Sequence, residues 1–336
     1  MVLCSALSIG CLLPLYAADG VLLHRQRSFR NNVPPGNYSG IAWLGEDRYA
    51  VVSDKSDAEG FFVFAIAIDS INGDIQNVRN LGFVECARDN RDIEGIALVP
   101  QRQMVVISGE ADNRIRAYSV GGGTVDIDIP QAAVHSALPA NGGLESLSYN
   151  AVTGRMWTCN ETGPVRMAEY DTLFSIKGIY DYPLDAPLKE EAKAANYAHG
   201  VSEICADDDG TLLVLEREFF VPKRKIGASV NCKLFRFSPS GGGKQLLGQW
   251  KSRLNLLKRN IANYEGMCFG PRLADGRRVV VMVADSQGQY KGLMKDWFRT
   301  AVIQYTVSLM ASVCGCLQDF SFLCLSVACC RCGSWD

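Results

Sequence analysis

EGIALVPQRQMVVISGE, residues Glu94–Glu110, opens on an acid, runs through a short apolar strand, turns at Pro100, and ends a second apolar strand on another acid. The pattern recurs four times. The other copies are SGIAWLGEDRYAVVSD (Ser39–Asp54), ESLSYNAVTGRMWTCNE (Glu145–Glu161), SEICADDDGTLLVLERE (Ser202–Glu218) and EGMCFGPRLADGRRVVVMVAD (Glu265–Asp285). The apolar anchors Ile41, Ile96, Leu147, Ile204 and Met267 are 55, 51, 57 and 63 residues apart. From anchor to closing acid the separations are 13, 14, 14, 14 and 18, the last lengthened by an inserted turn at Arg272–Arg277. A period of this size marks a solenoid or a propeller.

Each copy holds more than two strands. Alternating stretches follow the closing acid at Phe61–Ile68, Ile115–Val120, Val165–Tyr170, Lys233–Phe237 and Thr300–Val307. The alternation is the period-2 signature of half-buried strands. Further strands fall at Ile75–Phe83 and Gln245–Trp250, and turns at Asn72-Gly73, Asp209-Gly210 and Asp275-Gly276 punctuate the run. Only Pro187–Tyr197 reads as a helix, on the surface between copies three and four. The fold class is therefore all-β, a β-propeller of five blades, with six as the alternative. The spare strand within Val21–Arg30 is expected to close the ring as the outer strand of the last blade.

The chain has 336 residues, 48% of them hydrophobic, and a net charge of −2, so bulk charge favours neither nucleic acid nor an anionic membrane. Residues 1–18 read as an export signal: an apolar run from Val2 to Leu15 followed by Tyr16-Ala17-Ala18, too short for a membrane span. No Lys or Arg precedes that run, so the true start is expected upstream of Met1. Export to the periplasm or the extracellular space follows. Ser8-Ile9-Gly10-Cys11 is a poor lipoprotein box, so a lipid anchor is the lesser alternative. Residues 21–307 form the propeller unit. Six of the 13 cysteines crowd into the last 23 residues, where neither His nor a clean pair of C-x-x-C knuckles is present. That tail, 308–336, is expected to come from an aberrant frame or gene end rather than to be a zinc site. Cys159, Cys205 and Cys268 read as small buried apolar residues of repeat strands.

In a propeller the inner strands line a central channel, so equivalent positions converge. One expected ring is Asp54, Glu110, Glu161, Glu218 and Asp285; a second is Ser39, Glu94, Glu145, Ser202 and Glu265. Two unit charges about 5 Å apart at an effective dielectric near 20 repel by roughly 3 kcal/mol. Such a set must take up protons or cations. Arg114, Arg166, Arg217, Lys55 and Lys291 flank the ring acids and are the protein's own candidates. A hard divalent cation, Ca²⁺ foremost, is the other, held by Asp54, Glu94, Glu145, Glu218, Glu265 and Asp285. Glu110, Glu161 and His199 are candidate catalytic groups. Lys55, Arg114, Arg166 and Arg217 are candidate anion binders. Ser39 and Ser202 are expected to mark openings in the ring. The bland alternative is that the acids hold the blades in register. No G-x-S-x-G elbow, Walker loop or dinucleotide fingerprint is present.

At Tyr38-Ser39-Gly40-Ile41, Asp92-Ile93-Glu94-Gly95-Ile96-Ala97, Ser108-Gly109-Glu110, Gly143-Leu144-Glu145-Ser146-Leu147 and Ala284-Asp285-Ser286 the chain resembles the phytase-like propellers described as having esterase-like activity of phytase. The resemblance runs from about residue 22 to residue 305. It implies an exported propeller and a hydrolase of ester or phosphoester bonds acting on a small molecule. Metal assistance through the acidic channel is the mechanism the residues permit. A non-catalytic binding propeller and a lactonase-like sugar propeller are the alternatives.

Overall fold

The computed structural model describes residues 20–304, apart from 140–141, 224–226, 242, 256–258 and 290–291. The expected export signal, the tail from residue 308 and Lys291 lie outside the described residues.

Five antiparallel sheets follow one another along the chain. Blade I comprises β2 (Tyr38–Gly45), β3 (Arg48–Ser53), β4 (Glu59–Ile68) and β5 (Ile75–Ala87). Blade II has three strands, β6 (Ile93–Val99), β7 (Met104–Gly109) and β8 (Arg114–Ser119). Blade III holds β9 (Leu144–Asn150), β10 (Arg155–Asn160), β11 (Arg166–Tyr170) and β12 (Ile176–Asp181). Blade IV holds β13 (Ala194–Ala206), β14 (Leu212–Pro222), β15 (Ala228–Ser238) and β16 (Gly243–Leu254). Blade V holds β17 (Asn263–Arg272), β18 (Arg278–Asp285) and β19 (Phe298–Gln304), with β1 (Gly20–Leu23) at its outer edge.

The inner strands β2, β6, β9, β13 and β17 contact one another in turn, and β17 returns to β2. The molecule is thus a five-bladed propeller. β1 pairs with β19 from Gly20↔Gln304 to Leu23↔Ala301, as the spare N-terminal strand was expected to do. Pairing the first strand with the last covers the outer edge of β19 and ties the two ends of the ring together by hydrogen bonds. Apolar side chains fill the wedges between blades. Tyr38, Tyr49, Val51 and Phe64 of blade I meet Val279, Val281, Phe298 and Val302 of blade V. Val52 and Phe61 of blade I meet Ile96, Val105 and Ile107 of blade II on its other flank. Cys159, Cys205 and Cys268 are buried free thiols, as their place in repeat strands implies.

The expected helix at Pro187–Tyr197 is absent. A single 3-10 turn occupies Glu191–Lys193, and β13 begins at Ala194. The reason lies in the partner strand: β14 extends to Pro222 and pairs with β13 through Ala194↔Pro222 and Tyr197↔Phe220. An isolated helix of about eight residues is marginal whatever its alanine content, and strand pairing overrides it.

Candidate functional site: an acidic funnel at one end of the channel

Every inner strand starts at the same end of the channel, and close backbone approach there decides the residue type. A Cβ at Gly95 would lie 2.7 Å from the Cβ of Leu147, and one at Gly266 would lie 2.8 Å from the carbonyl oxygen of Ser39. The glycine after the acid therefore lets adjacent inner strands pack around the axis. Blade III has Ser146 at this place and blade IV has Glu203, which is 1% exposed. Its carboxyl accepts from the N–H of Ile204 at 3.0 Å, and the N–H groups of Met267 and Leu147 also favour its charge. Burial outweighs these donors and pushes its pKa well up.

Register defines the outer ring. The anchors pair as Ile41↔Val51, Ile96↔Ile107, Leu147↔Thr158, Ile204↔Val214 and Met267↔Met282. Three residues beyond each partner stand Asp54, Glu110, Glu161, Arg217 and Asp285. The ring residue of blade IV is thus Arg217, not Glu218. Anchor and partner are ten residues apart in blade IV (204 to 214) and eleven in blades II and III (96 to 107, 147 to 158), so a spacing of 14 overshoots by one. A one-residue slip moves a strand side chain to the opposite face. Glu218 accordingly points elsewhere. It accepts from the Lys189 N–H at 2.7 Å, from Asn231 Nδ2 at 2.9 Å and from the Tyr197 hydroxyl at 3.3 Å.

Arg217 is buried among the carboxylates it neutralises. Its Nη2 donates to Glu161 Oε1 at 2.5 Å, and its Nη1 to Glu265 and to Asn263 Oδ1 at 2.9 Å. Asn263 Nδ2 donates to Glu265 at 2.7 Å. Burial opposes the guanidinium charge, yet Glu265 and Glu161 hold its pKa above the ordinary value. Asp285 accepts from the Gln287 N–H at 2.7 Å and from the Gln287 side-chain amide. Glu110 accepts from the N–H groups of Gly142 and of Gly143, the latter at 2.8 Å.

What remains lies on blades I to III. Glu94 and Glu145, at equivalent places on β6 and β9, have no hydrogen-bond donor among the described residues. Burial pushes both carboxyls far up; Glu145 and Glu265 add to this at Glu94, and Glu161 does so at Glu145. Asp54, Asp92 and Glu94 offer one carboxylate oxygen each within 4.8 Å of one another. Lys55 Nζ lies 2.7 Å from Asp92 Oδ1 and 3.0 Å from Asp54 Oδ2. Asp54 Oδ1 is buried without a hydrogen-bond partner. Three carboxylates this close, one of which keeps a buried oxygen unsatisfied, fit a hard divalent cation such as Ca²⁺.

The family whose description reads "Phytase-like: Esterase-like activity of phytase" matches residues 33–287, a span that contains the whole funnel. The chain belongs to this phytase-like family. No curated protein sequence matches it. Among solved structures, streptogramin B lyase is 12% identical, with a TM-score of 0.40 over 83% of this chain and 98% of that one. An endo-1,4-beta-xylanase from Bacteroides thetaiotaomicron is 12% identical, with a TM-score of 0.42 over 82% of this chain and 91% of its own. The Dos1 propeller is 10% identical, with a TM-score of 0.33 over 78% of this chain and 67% of its own. The fold of the phytase-like chain rests on its own five sheets.

In this phytase-like protein the funnel gathers Asp54, Glu94, Glu110, Glu145, Glu161, Glu265 and Asp285, with Lys55 and Arg217 as its cations. Two other expected anion binders sit away from it. Arg114 and Arg166 lie on β8 and β11, the third strands of their blades; Arg114 is exposed, and Arg166 pairs with Asp181 of β12 at 2.5 Å. Nearness in sequence to a ring acid carried them across a hairpin, away from the axis. Ser39 and Ser202 do not open the ring. Ser39 Oγ donates to the Ile93 carbonyl of the next blade at 2.8 Å, and Ser202 Oγ to the Leu215 carbonyl at 3.3 Å. His199 is half-buried beside the funnel, facing Glu218 across the β13–β14 pair. Burial lowers its pKa against the pull of Glu218 and Glu216. It lines a cavity with Thr162, Lys189, Glu190 and Tyr197. Asp92, whose backbone sits in the left-handed region at φ 58°, and Glu203 had no assigned role in the sequence reading.

Proposed function

We propose that the chain is an exported hydrolase of ester or phosphoester bonds in small molecules, with a hard divalent cation held at the funnel rim by Asp54, Asp92 and Glu94. The observation that carries this reading is the triad itself, three carboxylates with one oxygen each within 4.8 Å of one another, whose Asp54 keeps a buried oxygen without a hydrogen-bond partner. Family membership supplies the bond type. A cation bound there supplies charge neutralisation for the ester or phosphoryl oxygens and acidifies a water. Glu145 stands beside Glu94 on the adjoining inner strand, and burial favours its protonated form, so it can hold a proton for the leaving oxygen. Glu110 and Glu161, engaged by Gly142, Gly143 and Arg217, orient the rim around it.

The test is metal analysis of the purified protein together with a panel of p-nitrophenyl phosphate, p-nitrophenyl acetate and sugar lactones. The reading expects turnover of the phosphate or the acetate that is lost on chelation and restored by Ca²⁺. Full turnover after chelation, or turnover confined to lactones, contradicts it.

A further inference from the structure

The acids stand where the inner strands begin; where those strands end, the channel has the opposite chemistry. Two residues beyond the anchors come Trp43, Leu98, Tyr149, Ala206 and Phe269. Four blades place a large apolar or aromatic side chain there, and blade IV places a single methyl group. All five line one cavity of about 430 Å³. The small residue of blade IV leaves room beside the large ones of the other blades. The walls are fixed before any ligand arrives. The Glu203 carboxyl takes the N–H of Ile204 at 3.0 Å and those of Leu147 and Met267, which ties the inner strands of blades III, IV and V together. Leu147 and Met267 themselves line the cavity.

The charged groups at the mouth are engaged with one another. Arg278 Nη1 lies 2.7 Å from Asp207 Oδ1 and 3.2 Å from Asp208 Oδ2, and its guanidinium stands 3.7 Å from the centre of the Phe269 ring. Asp208 also accepts from Arg272 at 2.9 Å and from Asn150 Nδ2 at 2.8 Å. Two guanidinium groups thus meet two carboxylates, and a charged ligand would lose its hydration here without gaining a partner. Ser148 Oγ accepts from the Ala206 N–H at 2.9 Å and keeps its own proton to donate.

We propose that this cavity is a ligand site separate from the acidic funnel and takes a small uncharged aromatic molecule. Its volume falls in the range of small-molecule sites, which are apolar with a few placed polar groups. The rings of Trp43, Tyr149 and Phe269 offer faces and edges to a ring between them. The Ser148 hydroxyl gives one donor to an acceptor on that ring. Walls already tied by Glu203 cost little ordering on binding. The site lies at the other end of the channel from the hydrolytic centre and does not depend on that reading.

The experiment is fluorescence titration of the full chain with the neutral probe N-phenyl-1-naphthylamine, for the unaltered protein, Ala206→Leu and Val152→Asp. Saturable binding is expected for the unaltered protein. Ala206→Leu gives blade IV the large side chain of its neighbours, fills the gap and is expected to weaken binding about tenfold. Val152 is 74% exposed and lines the same cavity, so Val152→Asp spares the fold while setting a carboxylate against the ligand. It too is expected to weaken binding about tenfold. Thermal unfolding of each variant checks that it is folded. Absence of saturable binding by the unaltered protein overturns the proposal. So does unchanged affinity in folded Ala206→Leu, or in Val152→Asp should Ala206→Leu not fold. Sedimentation of the same samples supplies a further check: a dimer that becomes a monomer in Val152→Asp would make this end an interface between copies and overturns the ligand site.

Discussion

The two sides of the funnel solve the same electrostatic problem differently. Toward blades III to V, a buried guanidinium from the frame neutralises the acids: Arg217 spans Glu161 and Glu265, Asn263 braces the pair, and Gln287 caps Asp285. Toward blades I and II, Asp54 and Asp92 have only Lys55, an exposed side chain on a flexible stem, and Glu94 has no donor among the described residues. An ion pair enclosed by protein resists exchange with solvent ions, whereas an exposed lysine is readily displaced. The repeat supplies one geometry five times. A single substitution at the ring position of blade IV makes one side structural and leaves the other open to a ligand.

The largest effect should come from attacking the neutralised side. Arg217→Met strips Glu161 and Glu265 of their buried partner, so stability at pH 7 is expected to fall by roughly 3–5 kcal/mol. The loss should shrink at pH 5, where the carboxyls left behind take up protons. Chemical denaturation at both pH values checks this; an equal loss at both would show that Arg217 acts through packing rather than charge.

Asp285 comes next. Burial pushes its carboxyl up to about 7 from an ordinary 3.8. A carboxyl whose pKa is raised by folding binds more protons when folded than when unfolded between those values. Its contribution to stability is therefore present at pH 4, falls as pH rises toward 7, and stays lost above that. Asp285→Asn removes this dependence. The stability of the variant relative to the unaltered protein is expected to rise between pH 4 and pH 8 by on the order of 2 kcal/mol. A flat difference across that range contradicts the raised pKa.

The smallest effect should fall on the serines. Ser202→Ala loses one hydrogen bond to a carbonyl and is expected to cost about 1 kcal/mol, with Ca²⁺ affinity unchanged. A change in cation affinity would place Ser202 in the site after all.

The blade count, the closing strand and the converging acids were legible because each depends on local pattern and fixed spacing. The Gly95 and Gly266 positions repeat because the inner strands approach closely there. Three things were not legible. Arg217 was hidden by a hairpin one residue shorter than those of blades II and III, which only pairing register reveals. The strand at Ala194 was hidden because its stability comes from Phe220 and Pro222 of β14 rather than from its own residues. The triad was hidden because Asp54 and Asp92 come from different blades, and Lys55 links them across 37 residues of sequence. Arg114 and Arg166 show the converse error, in which sequence adjacency was taken for closeness in space.

The central claim is the asymmetry of the funnel, and divalent-cation content tests it most directly. Ca²⁺ bound per chain should be measured by equilibrium dialysis for the unaltered protein, Glu94→Gln and Glu161→Gln. The account predicts that Glu94→Gln loses the bound ion while Glu161→Gln, whose carboxylate belongs to Arg217, retains it. Retention in Glu94→Gln, or loss in Glu161→Gln alone, would contradict it.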